Sequence, residues 1–398
     1  MATHRENNGF HIDTVAHIIR KTLLNEYVTL PLAAAATWLS RPSFSSSSPA
    51  ATHLGRILDV VLASNSAFGI NLDLDLALPQ LARLALWLGG TGLLLSANTL
   101  LNKWASNNWT PCLPGEWAHW EREIVVVTGG SSGIGEHVVK ALLARNPRTR
   151  IVIIDFAPLS WTPPPTTKNL HYYQADLSKP EQIRAVCARV RDEVGDPTVL
   201  INNAGLVRGR TVLEGTYGDV EATVRTNLTA PFLLLKEFLP AMVRANHGHV
   251  VSLCSSSALM PPPDLVDYAA SKAGVQALHE GLGMELRYRH AAPRVRLTNC
   301  VFNFIKTPLV RGTPTQPQFL APMLHVETVS EAIVDALYSG YGGVLYLPGL
   351  MRYVAMLRAA PEWLFRVLIK NSTAQLGVDL RGRQAIDATG SLQQAETK

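Results

Sequence analysis

EIVVVTGGSSGIGEHVVKALLARN, residues 123–146, reads as a strand that ends in a cluster of glycines and reopens as a helix. Ile124 to Val127 are continuously apolar and β-branched, as in a strand covered on both faces. Gly129 permits a tight turn, and Gly133 and Gly135 remove side chains where the backbone must come close to the helix start. With Ser131, Ser132 and Ile134 between them, these residues bring free N–H groups to the positive end of a helix dipole, a place for a pyrophosphate. Glycine clusters are common. This one follows a strand, opens a helix, and is followed twenty residues after Gly135 by Asp155 at the end of the next strand. Asp155 is placed to accept hydrogen bonds from adenosine ribose hydroxyls and to repel a 2′-phosphate, with no basic residue in the glycine loop to offset it. The expectation is a dinucleotide site that takes NAD in preference to NADP.

Outward from this stretch, apolar β-rich runs alternate with helical patterns. EIVVVTG (123–129), RIVIID (150–155), LHYYQAD (170–176), TVLINNAG (198–205), HVVSLCS (249–255), RVRLTNCV (294–301) and GVLYLP (343–348) read as seven strands. The helical stretches between them are long enough for crossovers, which predicts a doubly wound α/β parallel sheet with helices on both faces. The chain divides into residues 1–120, the sheet domain 121–348, and an extension 349–398. With 398 residues, 47% hydrophobic and 17% charged, it has the composition of a folded protein. The net charge of +5 is too small to indicate nucleic acid by itself, and neither zinc spacing nor an RNA-binding pattern is present. Cys112, Cys187, Cys254 and Cys300 form no framework and suit a reducing compartment as apolar packers.

The first region holds VTLPLAAAATWL (28–39), too short to span a bilayer, then SRPSFSSSSPAAT (40–52), which reads as a flexible linker. The length ahead of 28, with Glu6, Asp13 and Glu26, argues against a cleavable signal. ALWLGGTGLLLSANTLLN (85–102) carries no charge, and Trp87 and Trp104 near its ends suit a membrane interface. Gly89, Gly90, Thr91, Ser96 and Asn98 dilute its hydrophobicity, so a buried soluble helix is the competing reading. Beyond Met351, arginines interleave with Trp363, Leu364 and Phe365 in an amphipathic pattern fit for a membrane surface or for packing over the active-site mouth. Past about 380 the chain reads as disordered.

YAASK (268–272) puts Tyr268 and Lys272 on one helix face. A phenol titrates near ~10, and a close ammonium favours the phenolate, so Lys272 is expected to lower the Tyr268 pKa. Taking hydride from a carbinol carbon requires loss of the hydroxyl proton, so the oxygen needs a base and a donor. The T-G-x-x-x-G-x-G spacing, NNAG (202–205), Ser255 thirteen positions before Tyr268, and YAASK together resemble the short-chain dehydrogenase/reductase family over roughly 121–348.

That resemblance implies a Rossmann-type fold and a catalytic set of Asn227, Ser255, Tyr268 and Lys272. Tyr268 would be the acid/base, and Lys272 would hold the nicotinamide ribose. Ser255 would hydrogen-bond the reacting oxygen, and Asn227 would position a water in the proton relay. It implies that Asp176, with Leu177 beside it, meets the adenine, and that Asn203, Ala204 and Gly205 line the cofactor cleft. Ile305 and Thr307 of FNFIKTPL (302–309) would contact the nicotinamide amide. Phe302-Asn303 stands where most members have Pro-Gly, which puts the local loop geometry in question. More loosely, the apolar N-terminal segment, FNFIKT and LYLP resemble the membrane-associated retinol dehydrogenase and 17-beta-hydroxysteroid dehydrogenase 11/13-like subgroup. This implies a lipophilic alcohol or ketone (a retinoid, a steroid or a long-chain lipid alcohol), a membrane or lipid-droplet surface as partner, and a catalytic domain in the cytosol at the endoplasmic reticulum or a droplet. The Pro-rich stretch 308–324 would supply an apolar lid. Members are often oligomers, which suggests a homodimer. The runner-up is an NADPH-dependent carbonyl reductase of a smaller substrate, and a non-catalytic dinucleotide-binding scaffold is the reading from another class.

Overall fold

The computed structural model describes residues 11–39, 74–165, 167–309, 311–312 and 318–373, together with three two-residue strand segments further on. All seven expected strands are present: β1 Ile124–Thr128, β2 Arg150–Asp155, β3 Leu170–Gln174, β4 Val199–Asn202, β5 Gly248–Leu253, β6 Val295–Phe302 and β7 Gly343–Leu347. They pair in parallel in the order β3-β2-β1-β4-β5-β6-β7. The order reverses between β1 and β4, so a crevice opens at the carboxyl ends of those two strands, where open α/β sheets bind ligands.

Alternation along each strand divides the core in two. Val125, Val127, Ile151, Ile153 and Val251 face one side, against Val138 and Leu142 of α4 (Gly133–Arg145) and Ile333 and Leu337 of α9 (Val326–Tyr338). Val126, Val152, Leu200 and Val250 face the other. There they meet Ile183 and Val190 of α5 (Pro180–Glu193), Leu234 and Phe238 of α7 (Ala230–Ala245), and Leu282 and Leu286 of α8 (Val266–Tyr288). Both faces are covered, which explains why β1, β5 and β6 are buried at every position. A short helix, α6 (Tyr217–Val224), precedes α7 and is closed at its start by a capping box between Thr216 and Asp219.

Residues 14–101 form a unit of their own. It contains α2 (Glu26–Leu39) and most of α1 (Ile12–Lys21) and α3 (Leu74–Ser106). Gly89 and Gly92 have packing reasons: a Cβ there would stand 2.6 Å from Leu30 and 2.2 Å from the Leu24 carbonyl. Arg20 donates to the Gly92 carbonyl at 2.9 Å, and Ser96 joins Arg20 to Glu26. Of the residues that dilute the apolar segment, Gly89 and Ser96 therefore seat α2, and Gly92 seats the turn before it, whereas a Cβ at Gly90 would meet nothing within 4 Å. The segment is also longer than the 85–102 window. Among the described residues, Pro79–Ser106 is a helix long and apolar enough to cross a membrane, with mean hydropathy 1.5 and 11% of its most apolar window buried. Its 28 residues reach ~42 Å at 1.5 Å per residue, against a hydrocarbon core of ~30 Å.

After β7 come α10 (Met351–Leu357) and α11 (Glu362–Thr373). The linker at 40–52 lies outside the described residues, as do 310 and 313–317 of the stretch 308–324. Past 380, Ala385–Ile386 pairs antiparallel with Leu392–Gln393. Those four residues stand against the expectation of disorder there only as a backbone pairing; the rest of that tail lies outside the described residues.

Candidate active site

The glycine turn is built as its sequence demands. Gly129 and Gly133 have φ of +67° and +59°, in the left-handed region that glycine enters without strain. At Gly135 a Cβ would lie 2.3 Å from the Gly129 carbonyl oxygen, so only hydrogen fits. Asn203, just past β4, staples this turn: its Nδ2 donates to the carbonyls of Thr128 at 2.8 Å and Gly129 at 3.0 Å. Thr128 answers by accepting the N–H groups of Asn203 and Ala204 on its Oγ1, each at 3.0 Å. Ser132 precedes α4 in extended conformation and makes no side-chain cap, so the N–H groups of the first turn have no intrahelical acceptor. Ile134 leans against the core.

Asp155 ends β2 beside this turn. Its carboxylate accepts the Ser131 N–H at 2.8 Å and the Ala157 N–H at 3.1 Å. Burial raises its pKa above the usual carboxylate value, and those N–H bonds pull the other way. Ser131 is buried, and its hydroxyl donates to the Ala157 carbonyl at 2.7 Å. Asp176 is also buried. Its Oδ1 accepts both the N–H and the hydroxyl of Ser178, at 2.9 and 2.7 Å, a local turn that fixes the carboxylate. The Leu177 side chain belongs to the core.

Four elements bring the remaining residues together. Tyr268 and Lys272 share the first turns of α8. The Lys272 ammonium lies 5.6 Å from the Tyr268 ring centroid and donates to the Leu253 carbonyl, at the end of β5, at 2.7 Å. Ser255 caps the 3-10 turn Ser256–Ala258, accepting the Ser257 N–H at 3.2 Å, and a hydrogen bond links its side chain to Tyr268. Asn227 sits in a π-helical turn, Arg225–Thr229, between α6 and α7. It is fully enclosed: Oδ1 accepts the Leu206 N–H at 2.7 Å, and Nδ2 donates to the Leu206 carbonyl at 2.8 Å and Ser271 Oγ at 3.1 Å. A Cβ on Gly205 would stand 3.7 Å from Lys272 Nζ and 3.8 Å from Asn227 Oδ1, so these two groups flank the same small residue.

The expected electrostatics of the tyrosine needs correction. Burial pushes the Tyr268 phenol up to about 12, against the pull of the Ser255 hydrogen bond. The same surroundings push Lys272 down to about 8. Low dielectric penalises the charged form of each group, and the ammonium directs a proton at a carbonyl instead of the phenol. Cys254, behind this pair, is a buried thiol whose pKa burial raises, which fits a packing residue and not a nucleophile.

The segment after β6 closes over the turn. The Cβ position of Gly133 is 3.7 Å from Thr307. Ile305 is buried and bridges to Leu324. The unusual Phe302 proves to be the last residue of β6, buried in the core, and Asn303 continues the pairing by donating its N–H to the Leu347 carbonyl at 3.0 Å. Its Oδ1 accepts the Ser256 hydroxyl at 3.2 Å. Sequence reasoning named Thr128 within the glycine motif and Asn303 after β6 without their hydrogen-bonding roles, and missed Leu206. Leu206 acts through its backbone N–H and carbonyl, which leave no side-chain signal.

Comparison with known proteins agrees with this fold. A family model described as short chain dehydrogenase matches residues 123–318. Dehydrogenase RED2 of Cochliobolus heterostrophus is 39% identical over 209 residues, covering 52% of this chain and 75% of the relative. Epidermal retinol dehydrogenase 2 of Mus musculus is 31% identical over 245 residues, 60% of this chain and 77% of the relative. The crystal structure of a short chain dehydrogenase from Burkholderia cenocepacia in complex with NADP superposes with a TM-score of 0.50 at 26% identity, over 62% of this chain and 96% of that one. With so large a share of these relatives matched, the chain belongs to the short-chain dehydrogenase family and is an oxidoreductase.

Proposed function

We propose that this enzyme transfers hydride between NAD(H) and a lipophilic alcohol or ketone, with Asn227, Ser255, Tyr268 and Lys272 as its catalytic set. The observation that carries the reading is the meeting of Asn227 and Lys272 at Gly205, with the Tyr268 ring 5.6 Å from the Lys272 ammonium and Ser255 hydrogen-bonded to Tyr268. The turn fits a dinucleotide on its own evidence: Gly135 has room for no side chain, the first N–H groups of α4 are free, and Asp155 stands at the neighbouring strand end. The pyrophosphate would lie on residues 131–135, the adenosine ribose on Asp155, the ribose of the nicotinamide on Lys272, and the amide by Ile305 and Thr307. The bound nicotinamide supplies the hydride acceptor or donor. The chain's own residues handle the proton. Ser255 and Tyr268 hold the substrate oxygen, and Tyr268 takes or returns its proton. Lys272 holds its ammonium on the Leu253 carbonyl, 5.6 Å from the centre of the Tyr268 ring. Asn227 ties that floor to Leu206 and Ser271 and keeps it fixed. Asp155 favours NAD over NADP by repelling a 2′-phosphate.

The substrate class rests on the retinol dehydrogenase relative and on the apolar surface of α3, where Trp87 and Leu94 are 78% and 72% exposed. A long exposed apolar helix fits membrane attachment, which would bring the enzyme to substrates dissolved in lipid. An endoplasmic reticulum or lipid-droplet surface, with the catalytic domain in the cytosol, suits that chemistry. The test is a cofactor-reduction assay with all-trans-retinol, estradiol and long-chain alcohols, using NAD and NADP side by side. Tyr268→Phe is expected to abolish turnover while NADH affinity stays within about threefold, since the phenol oxygen acts on the proton and not on binding. Turnover by the mutant at the wild-type rate would refute the mechanism.

A further inference from the structure

Arg358 stands at the end of α10, outside the segment matched by the family model, and its guanidinium reaches back 100 residues in sequence. One nitrogen, Nη1, donates to the carbonyls of Ala258 and Leu259, each at 3.0 Å. Those carbonyls close the three-residue turn that Ser255 opens. A turn this short leaves its last carbonyls without local donors, and a charged donor shared between them is stronger than a neutral one. The neighbouring packing has the same effect. Val354 and Ala355 of α10 lie on the buried cluster of Cys254, Ala258, Leu259 and Val301, and Phe365 of α11 sits 6.0 Å from the guanidinium. From the other side, Ser256 is tied to Asn303. The turn is thus held at its start by the end of β6 and at its finish by the C-terminal helices.

We infer that Arg358 is a positioning residue for Ser255, so that the C-terminal helices complete the active site and are not only an appendage to it. The inference rests on the role proposed above for Ser255. Ser255 Oγ already accepts the Ser257 N–H, so its direction follows the turn, and a turn free to drift moves the hydroxyl away from the oxygen shared with Tyr268.

The test uses the full chain as wild type, Arg358→Ala, Arg358→Lys and Ser255→Ala, with all-trans-retinol and estradiol in detergent. NADH affinity is read by fluorescence, and amide exchange by mass spectrometry. Arg358→Ala should lower kcat about tenfold with KM and NADH affinity within about twofold. The peptide 256–260 should exchange about tenfold faster while the strands β1 and β4 keep their protection. Arg358→Lys, which keeps a charged donor, should recover most of both losses. Unchanged kcat in Arg358→Ala beside an inactive Ser255→Ala overturns the inference, as does unchanged exchange at 256–260. Full turnover by Ser255→Ala removes the reading beneath it, and the exchange arm, which needs no substrate, tells that failure apart from a failure of Arg358 to hold the turn.

Discussion

Replacing Gly135 by alanine tests whether the glycine turn has the tight geometry on which cofactor binding depends. The added Cβ would lie 2.3 Å from the Gly129 oxygen, 2.6 Å from Asn203 Nδ2 and 2.9 Å from the Gly129 carbonyl carbon. Ordinary contact is ~3.5 Å, so the turn must retreat by about 1 Å. That retreat is blocked by the two bonds Asn203 makes to Thr128 and Gly129, each worth about 1 kcal/mol net. Overpacking adds about 1–3 kcal/mol, and the better helix propensity of alanine returns up to about 1 kcal/mol. The net loss is roughly 2–4 kcal/mol, or a fall in Tm of roughly 5–15 °C for a domain of this size. NADH affinity should drop at least tenfold, by the order of 1.4 kcal/mol or more, because the N–H groups that receive the pyrophosphate move with the turn. Differential scanning calorimetry and titration calorimetry read the two quantities. Gly281→Ala is the control: it lies in α8 with nothing within 4 Å of its Cβ position, and should stabilise by about 0.5–1 kcal/mol. If Gly135→Ala matched wild type in both Tm and NADH affinity, the close approach inferred at this turn would be wrong.

Asn227→Leu would strand the buried N–H and carbonyl of Leu206 together, costing roughly 2–5 kcal/mol in urea denaturation; a loss below about 1 kcal/mol would show that the π-helical turn is not held by this side chain. His247 lies between Glu116 and Glu123, and its pKa is raised above 6.5 chiefly by the hydrogen bond to Glu123, with burial opposing. Its contribution is complete below pH 6.5 and fades as pH rises through the raised value, so the gap in Tm between wild type and His247→Gln should narrow from pH 6 to pH 9; a gap that widens has the opposite sign and contradicts the ion pairing. Lys272, pushed down to about 8, should give the oxidation rate a limb that rises with pH through that region. Lys272→Arg, which stays protonated, should remove the limb, and its persistence near pH 8 would assign it to another group.

The sheet was legible because each strand carries its own signal. Val125 to Val127, Ile151 to Ile154 and Val199 to Ile201 are apolar on both alternating faces, and that pattern belongs to a parallel sheet whichever neighbours it finds. Crossover handedness narrows the possible strand orders, but which strands pair is set by long-range contacts and was read only from the fold. The apolar segment near 90 was readable in kind but not in extent. Its ends depend on how far α3 continues past Asn102, and the purpose of Gly89 and Gly92 depends on Leu30 and Leu24, some sixty residues earlier in the chain. Phe302 shows the same limit: against a family pattern it looks like a defect, but in the fold it is one more buried strand residue paired with Leu347.

The site divides along the same line between local and distant causes. Gly129, Gly133 and Gly135 announce themselves because turn geometry is set within a few residues, and Tyr268 and Lys272 because a helix fixes their spacing. What the pair does to its own protons is set from outside. Spacing alone argues that an ammonium lowers a phenol's pKa, an argument that assumes the medium between them screens little and the medium around them costs nothing. Here Leu253 takes the ammonium's hydrogen bond, Cys254 and the floor at Asn227 exclude water, and desolvation outweighs the attraction for both groups, raising one and lowering the other. The two pKa values, close together for the free side chains, are driven apart, the phenol up to about 12 and the ammonium down to about 8. Between those two values the phenol keeps its proton while the amine has lost its own, so desolvation leaves Tyr268 as a proton donor and favours the neutral form of both groups.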